Sequence, residues 1–275
     1  MRRCQRSFRK KRGVKLIINF KKPIRIAIVG KGGVGKTVIT VLFTKILIEY
    51  YNYKLLLIDA DPTHPHLCNM VKVKPNKSLE ELRIEAVKKA HNGGESAQKL
   101  AERIDFDVYE GMVESKNFCL FSIGQPEGPG CFCPSNILLR KVIESISKDF
   151  DIILIDSEAG LEQINRMVLK SIDILLIITD LSLRSLETAN SIRNQAKKYT
   201  NYKNLGVLIN KAKGNIDIIT KKLNELELPL IGSIPEDNVI IEFDLKGKPL
   251  IDIPEDSVSY MSLKNAIEPL FSSFS

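Results

Sequence analysis

The amino-acid sequence predicts a single doubly wound, mostly parallel α/β sheet with helices on both faces. Three observations predict it: short apolar runs recur, amphipathic stretches separate them, and the first run ends in a glycine-rich loop. The runs are IRIAIV (24–29), KLLLI (54–58), FCLFSI (118–123), IILI (152–155), ILLIIT (174–179), NLGVLI (204–209) and PLIGSI (229–234). Each is too short for a helix, and continuous Ile, Leu and Val suit strands covered on both faces. Alternation with helical stretches then selects a layered, parallel arrangement.

Taken in order, the first strand runs into GKGGVGKT and a helix, and the second ends in DADP. SLEE, from Ser78, offers a capping box to Glu81, with Gly93 placed to close that helix. A helical insert is expected around 78–115, before the third strand. That strand leads into GQPEGPGCFCPSN (124–136), and Pro134 suits the first turn of the helix that follows. The closing SVSYMSLKNAIEPLFSSFS carries one Lys and one Glu and reads as a docking helix.

With 44% apolar residues among 275, the chain can bury a substantial core. No apolar run approaches the roughly eighteen residues of a membrane-spanning helix. VKLIINF is short and followed at once by Lys21 and Lys22, unlike a secretory leader. The five cysteines (4, 68, 119, 131 and 133) are odd in number, which argues against a secreted disulfide framework and for the cytoplasm. The net charge of +8 is local: residues 1–25 hold eleven Lys or Arg and no acid, so the rest carry +8 less 11, or −3. Residues 1–22 are therefore expected to form a flexible basic tail, and 23–275 the folded domain. Such a tail could touch nucleic acid, but a solvated arm or an upstream start is the plainer reading, and no nucleic-acid or membrane partner is expected.

The strongest motif is IRIAIVGKGGVGKTVIT, in which Gly30 to Thr37 fit G-x-x-x-x-G-K-[ST] between a strand and a helix. This is the P-loop pattern: glycines admit phosphate oxygens to backbone N–H groups, and the helix presents its positive end. Gly32, Gly33, Val34, Gly35, Lys36, Thr37 and Val38 are the candidate phosphate-binding residues. Lys36 can bridge the terminal phosphates and Thr37 can ligate Mg²⁺. GKGGVGKT also resembles the deviant Walker A sequence of the class that includes MinD, ParA and nitrogenase iron protein. The resemblance implies a homodimer that closes over ATP, with Lys31 reaching the partner's nucleotide. Val38 departs from it, standing where many members have a second Thr that contacts the α-phosphate.

In the same class Asp61 matches the residue that positions the attacking water, and Asp59 the one that supports Mg²⁺ and its loop. Asp156, in IILIDSEAG, matches the Walker B carboxylate, and Gly160 is placed to offer its N–H to the γ-phosphate. Asn210 and Lys211, in LINKAKG, are candidates to face the base. Lys213 stands where guanine readers place an aspartate, so no carboxylate meets guanine's donors and ATP is favoured over GTP. SIPED (233–237), with Pro235, resembles the loop that completes an adenine pocket.

Cys131 and Cys133 are poorly spaced for a disulfide with each other, and two thiols are half of a tetrahedral thiolate site. In an extended loop, positions i and i+2 point to one side, so both sulfurs can meet one ion. A two-fold symmetric dimer supplies the other pair. PEGPGCFCPSNILLRKVI, DSEAGLEQINR and FDLKGKPLIDIPEDS together look like CooC-type ATPases, the nickel-insertion factors of carbon monoxide dehydrogenase. That resemblance implies Ni²⁺ or Zn²⁺ held between subunits at Cys131 and Cys133, and a client nickel metalloenzyme such as carbon monoxide dehydrogenase. The alternatives are a MinD/ParA-like positioning ATPase and a nitrogenase iron protein-like electron carrier. His64, His66 and Cys68 alternate in THPHLC and could pass a metal on, or could belong to an ordinary loop.

Overall fold

The computed structural model describes residues 22–51, 53–61, 66–74, 77–78, 80–82, 84–85, 88, 111–124, 144, 146–157 and 171–271. Eight strands form one sheet: β1 Ile24–Gly30, β2 Leu55–Ala60, β3 Val113–Glu114, β4 Phe118–Ser122, β5 Ile152–Ser157, β6 Ser171–Thr179, β7 Asn201–Ala212 and β8 Leu230–Pro235. Their order is β3-β4-β2-β5-β1-β6-β7-β8, and only β3, paired with β4, runs antiparallel. The described helices are α1 Lys36–Ile46, α2 His66–Met70, α3 Leu183–Tyr199, α4 Asp217–Glu225, α5 Asn238–Leu245 and α6 Val258–Phe271.

Alternation along β1 shows why the sheet needs two covers. Ile24, Ile26 and Ile28 enter one core with Leu42 and Phe43 of α1 and Leu263 and Ile267 of α6. Ala27 and Val29 enter the opposite core with Leu186 and Ile192 of α3 and Leu223 of α4. Strands buried on both faces read as apolar runs, as β1, β2 and β5 do, whereas β8, at the sheet edge, is mostly only partly buried. The docking helix expected at the C-terminus is α6, which buries Tyr260, Leu263, Ile267, Leu270 and Phe271.

β3 was not foreseen, and it lies inside the segment read as a helical insert. Two residues are too few to show the period of a strand. Helical residues do occur nearer the start of that segment, at 80–82, 84–85 and 88. The capping box there is formed: the Ser78 N–H donates to Glu81 Oε2 at 2.7 Å, and the Glu81 N–H donates back to Ser78 Oγ at 3.3 Å. Gly93 and most of the helix expected from Pro134 lie outside the described residues.

Parallel register assembles the site. Asp59 of β2 stands opposite Asp156 of β5, and Ile28 of β1 stands opposite that same Asp156. The carboxyl ends of β1, β2 and β5 therefore converge. Next to them the chain order reverses from β5 to β6 across β1, the place where open sheets of this kind bind ligands.

Candidate functional site

The glycine loop begins at Gly30, whose φ is +151° and where a Cβ would lie 2.2 Å from the carbonyl oxygen of Ile178. No larger residue fits between these strands. The loop ends at Gly35, with φ +90° and room for a Cβ only 2.5 Å from Asn210 Nδ2. α1 starts there with no side-chain cap and no acid in its first turn. An uncapped, positively polarised helix end is suited to an anion.

Side chains brace the loop from within. Lys36 Nζ donates to the Lys31 carbonyl at 3.2 Å, Lys211 Nζ to the Gly33 carbonyl at 3.0 Å, and buried Asn210 Nδ2 to the Val34 carbonyl at 2.8 Å. Two ammonium groups thus stand at a glycine turn that has no acid of its own. Asn210 and Lys211, expected to face the base, here tie β7 to the loop, and Lys211 does so from a left-handed backbone with φ 53°.

Behind the loop lie two carboxylates, each 1% exposed: Asp59 and Asp156. Burial, and then the neighbouring Asp156 charge, pushes the Asp59 carboxyl up to about 7, while the Asp61 N–H, 3.2 Å from Asp59 Oδ1, pulls it down. Burial likewise lifts Asp156 to about 6, opposed by hydrogen bonds from Thr37 and Thr40 and by the Lys36 charge. Thr40 Oγ1 reaches Asp156 Oδ1 at 3.2 Å. Asp59 Oδ2 is buried and has no hydrogen-bond partner among the described residues. Two like charges beside an orphaned oxygen are costly unless a cation joins them, and an all-oxygen set with Thr37 fits Mg²⁺.

Next to Gly35 and Val38 opens a cavity of about 430 Å³, walled also by Met70, Lys211, Phe243 and Leu250. Its size and mostly apolar walls suit a flat ring. Pro235 closes β8, its carbonyl accepting from Ser259 Oγ at 3.0 Å. Lys213 is paired with Glu236 at 2.5 Å. The α5 wall was not foreseen, because an apolar helix after β8 reads as core rather than as a cavity side.

The thiols separate. Cys68, in α2, is buried among core residues, and burial followed by the Asp59 charge pushes its thiol up to about 12. His66 is exposed, and the Cys119 thiol in β4 is also raised by burial. Cys68 and Cys119 therefore behave as small core residues. Among the described residues no cluster of three or more His, Cys, Asp or Glu side chains could hold a metal. Cys131, Cys133, Gly160 and His64 lie outside the described residues. No helix among the described residues is long and apolar enough to cross a membrane.

Residues 26–250 match the family model described as the CobQ/CobB/MinD/ParA nucleotide binding domain. An uncharacterized ATP-binding protein of Methanocaldococcus jannaschii is 36% identical over 250 residues, covering 89% of this chain and 97% of the relative. The carbon monoxide dehydrogenase accessory protein CooC of Rhodospirillum rubrum is 29% identical over 243 residues, covering 84% and 90%. Among solved structures, MinD of Pyrococcus horikoshii in complex with Mg-ADP is similar, with TM-score 0.65 and 24% identity over 90% of this chain and 95% of that one. The braced glycine loop, the paired carboxylates behind it and the match over most of the chain lead to one conclusion: this protein is an ATPase belonging to the CobQ/CobB/MinD/ParA nucleotide-binding family.

Proposed function

We propose that this protein is a CooC-type metallochaperone ATPase. ATP closes a homodimer, and Cys131 and Cys133 of both subunits hold one Ni²⁺ or Zn²⁺ for maturation of a nickel enzyme such as carbon monoxide dehydrogenase. One observation carries the reading: the C-x-C stretch and its flanks occur in a chain with CooC among its relatives. Four thiolates, two per subunit, would complete a tetrahedral site, so the cargo ion is bound by the dimer alone. An ion held only by the dimer stabilises it by mass action.

In the nucleotide half, Lys36 neutralises the terminal phosphates and Lys31 crosses to the partner's nucleotide. Asp59, Asp156 and Thr37 would hold Mg²⁺, which when bound neutralises phosphate charge. Asp61 orients the water that attacks the γ-phosphorus as ADP leaves, and the Gly160 N–H meets the phosphate being released. Asn210, Lys211 and Pro235 border the base, and Val38 gives up the hydroxyl contact to the α-phosphate. Turnover is slow, since ATP serves as a conformational clamp. The folded domain begins at about residue 23, a division supported by the family match starting at 26, with Lys22, read from the sequence as the end of a basic tail, already paired to Asp151 at 2.7 Å.

The test is metal binding by Cys131→Ala and Cys133→Ala. Either should abolish tight binding of Ni²⁺ and Zn²⁺ and leave ATP hydrolysis intact, because the phosphate-binding residues lie on other loops. A variant lacking both thiols that binds the ion as the wild type does would refute the reading. A MinD/ParA-like positioning ATPase has no use for paired thiols, and an electron carrier would be coloured by iron, so the same preparations separate these alternatives.

A further inference from the structure

We propose that Asp237 is a positioning residue for the nucleotide base, latching the loop after β8 to the first turn of α6. The proposal rests on the reading of Pro235 as part of the base site. Asp237 is 6% exposed, so its charge must be met by donors. One carboxylate oxygen, Oδ1, accepts from the Val239 N–H at 2.9 Å and caps α5. The other, Oδ2, accepts from Ser257 Oγ at 2.6 Å and from the Ser259 N–H at 3.0 Å. Burial pushes the carboxyl up, but these donors outweigh it and hold the group below its ordinary value.

A cap alone needs one oxygen, and Ser or Asn would serve. The second oxygen binds the chain about twenty residues further on. Ser259 then returns through its hydroxyl to the Pro235 carbonyl at 3.0 Å, and the Glu236 N–H donates to the Ala212 carbonyl at 3.3 Å. The segment 235–237 is thereby held between β7 and α6. α5 depends on this hold, because none of its residues is fully buried and only Val239, Ile240 and Phe243 pack, in part, against the core. Yet Ile240 and Phe243 of α5 wall the cavity beside Gly35. One buried carboxylate thus holds both Pro235 and the α5 wall, while the bonds that brace the phosphate loop, from Asn210 and Lys211, do not involve Asp237.

The two parts of the site can therefore be read separately by ligands with and without a base. Calorimetry would compare Mg-ATP with Mg-tripolyphosphate, which carries the phosphates without a base. Asp237→Asn keeps the shape but turns an amide N–H₂ toward at least one of the three donors. ATP affinity should fall about tenfold while tripolyphosphate affinity is unchanged. Ser259→Ala, which removes the hydroxyl that bonds Pro235 and helps hold Asp237 but keeps the Ser259 N–H bond to Asp237, should fall about threefold in the same pattern and serves if Asp237→Asn does not fold. Equal losses for both ligands would show a general structural role and overturn the proposal, as would unchanged ATP affinity in a folded Asp237→Asn. A wild-type protein that binds ATP no tighter than tripolyphosphate would instead remove the base-site reading itself, and the proposal with it.

Discussion

Asp59→Asn should make the nucleotide-free protein more stable at pH 8 while impairing its response to Mg-ATP. Asp59 is buried opposite Asp156, with its Oδ2 unpartnered among the described residues, and its carboxyl is lifted from 3.8 to about 7. A group raised on folding contributes stability that is full below its unfolded value and lost as pH rises through its folded value. The wild type should therefore lose stability between about pH 4 and 7. The interval from 3.8 to about 7 corresponds to an upper limit of about 4 kcal/mol. Asp156, itself lifted to about 6, titrates with it, so about half of that, roughly 2 kcal/mol, is expected from one substitution. In the variant the amide keeps an oxygen for the Asp61 N–H and turns donors toward Asp156. Thermal melts in chelator without nucleotide should nearly coincide at pH 4, begin to diverge by pH 5 and separate by about 6 °C at pH 8, the variant melting higher. Mg-ATP should then stabilise the variant less than the wild type. A variant that melts at or below the wild type at pH 8, or keeps its full pH slope, would show that the Asp59 charge does not destabilise the nucleotide-free protein.

Three further outcomes are expected. Lys36→Ala should lose nucleotide binding in calorimetry, whereas Asp61→Ala should bind ATP, hydrolyse it at least about 100-fold more slowly and persist as a closed dimer in gel filtration. A wild-type rate in the latter would remove Asp61 from its role. Lys31→Gln should bind ATP but fail to dimerise in light scattering with a slowly hydrolysed analogue, and intact dimerisation would place its action within its own subunit. Gly35→Ala should lower stability by about 2 kcal/mol, since it combines positive φ with loss of the Asn210 bond, while Gly32→Ala, which meets nothing within 4 Å, should change it by less than about 0.5 kcal/mol. Equal effects in thermal melts would contradict the packing described for the loop.

The strands were legible because burial on both faces leaves an apolar run that needs no partner to be seen. Their limits were less so: β7 extends from Asn201 to Ala212, and its polar ends carry no such signal. Local chemistry was also legible, as with Ser78 and Glu81, whose capping bonds span three residues. What the chain alone concealed depends on register and distance. The meeting of Asp59 with Asp156 follows from parallel pairing of β2 and β5. The Asp237 contacts join residues twenty or more positions apart. Asn210 and Lys211 were expected to face the base, and their bonds to the glycine loop appear only once β7 lies beside β6 and the loop.

Whether the thiols of two subunits share one ion is read from the ratio of bound metal to chains. Native mass spectrometry of the full chain, loaded with Ni²⁺ or Zn²⁺ and a slowly hydrolysed ATP analogue, reads it without assumptions about activity. One ion per two chains is expected, found in the dimer only, lost in Cys131→Ala and Cys133→Ala, and reversed by chelation together with part of the dimer. One ion per chain, or an ion retained by the monomer, would contradict it.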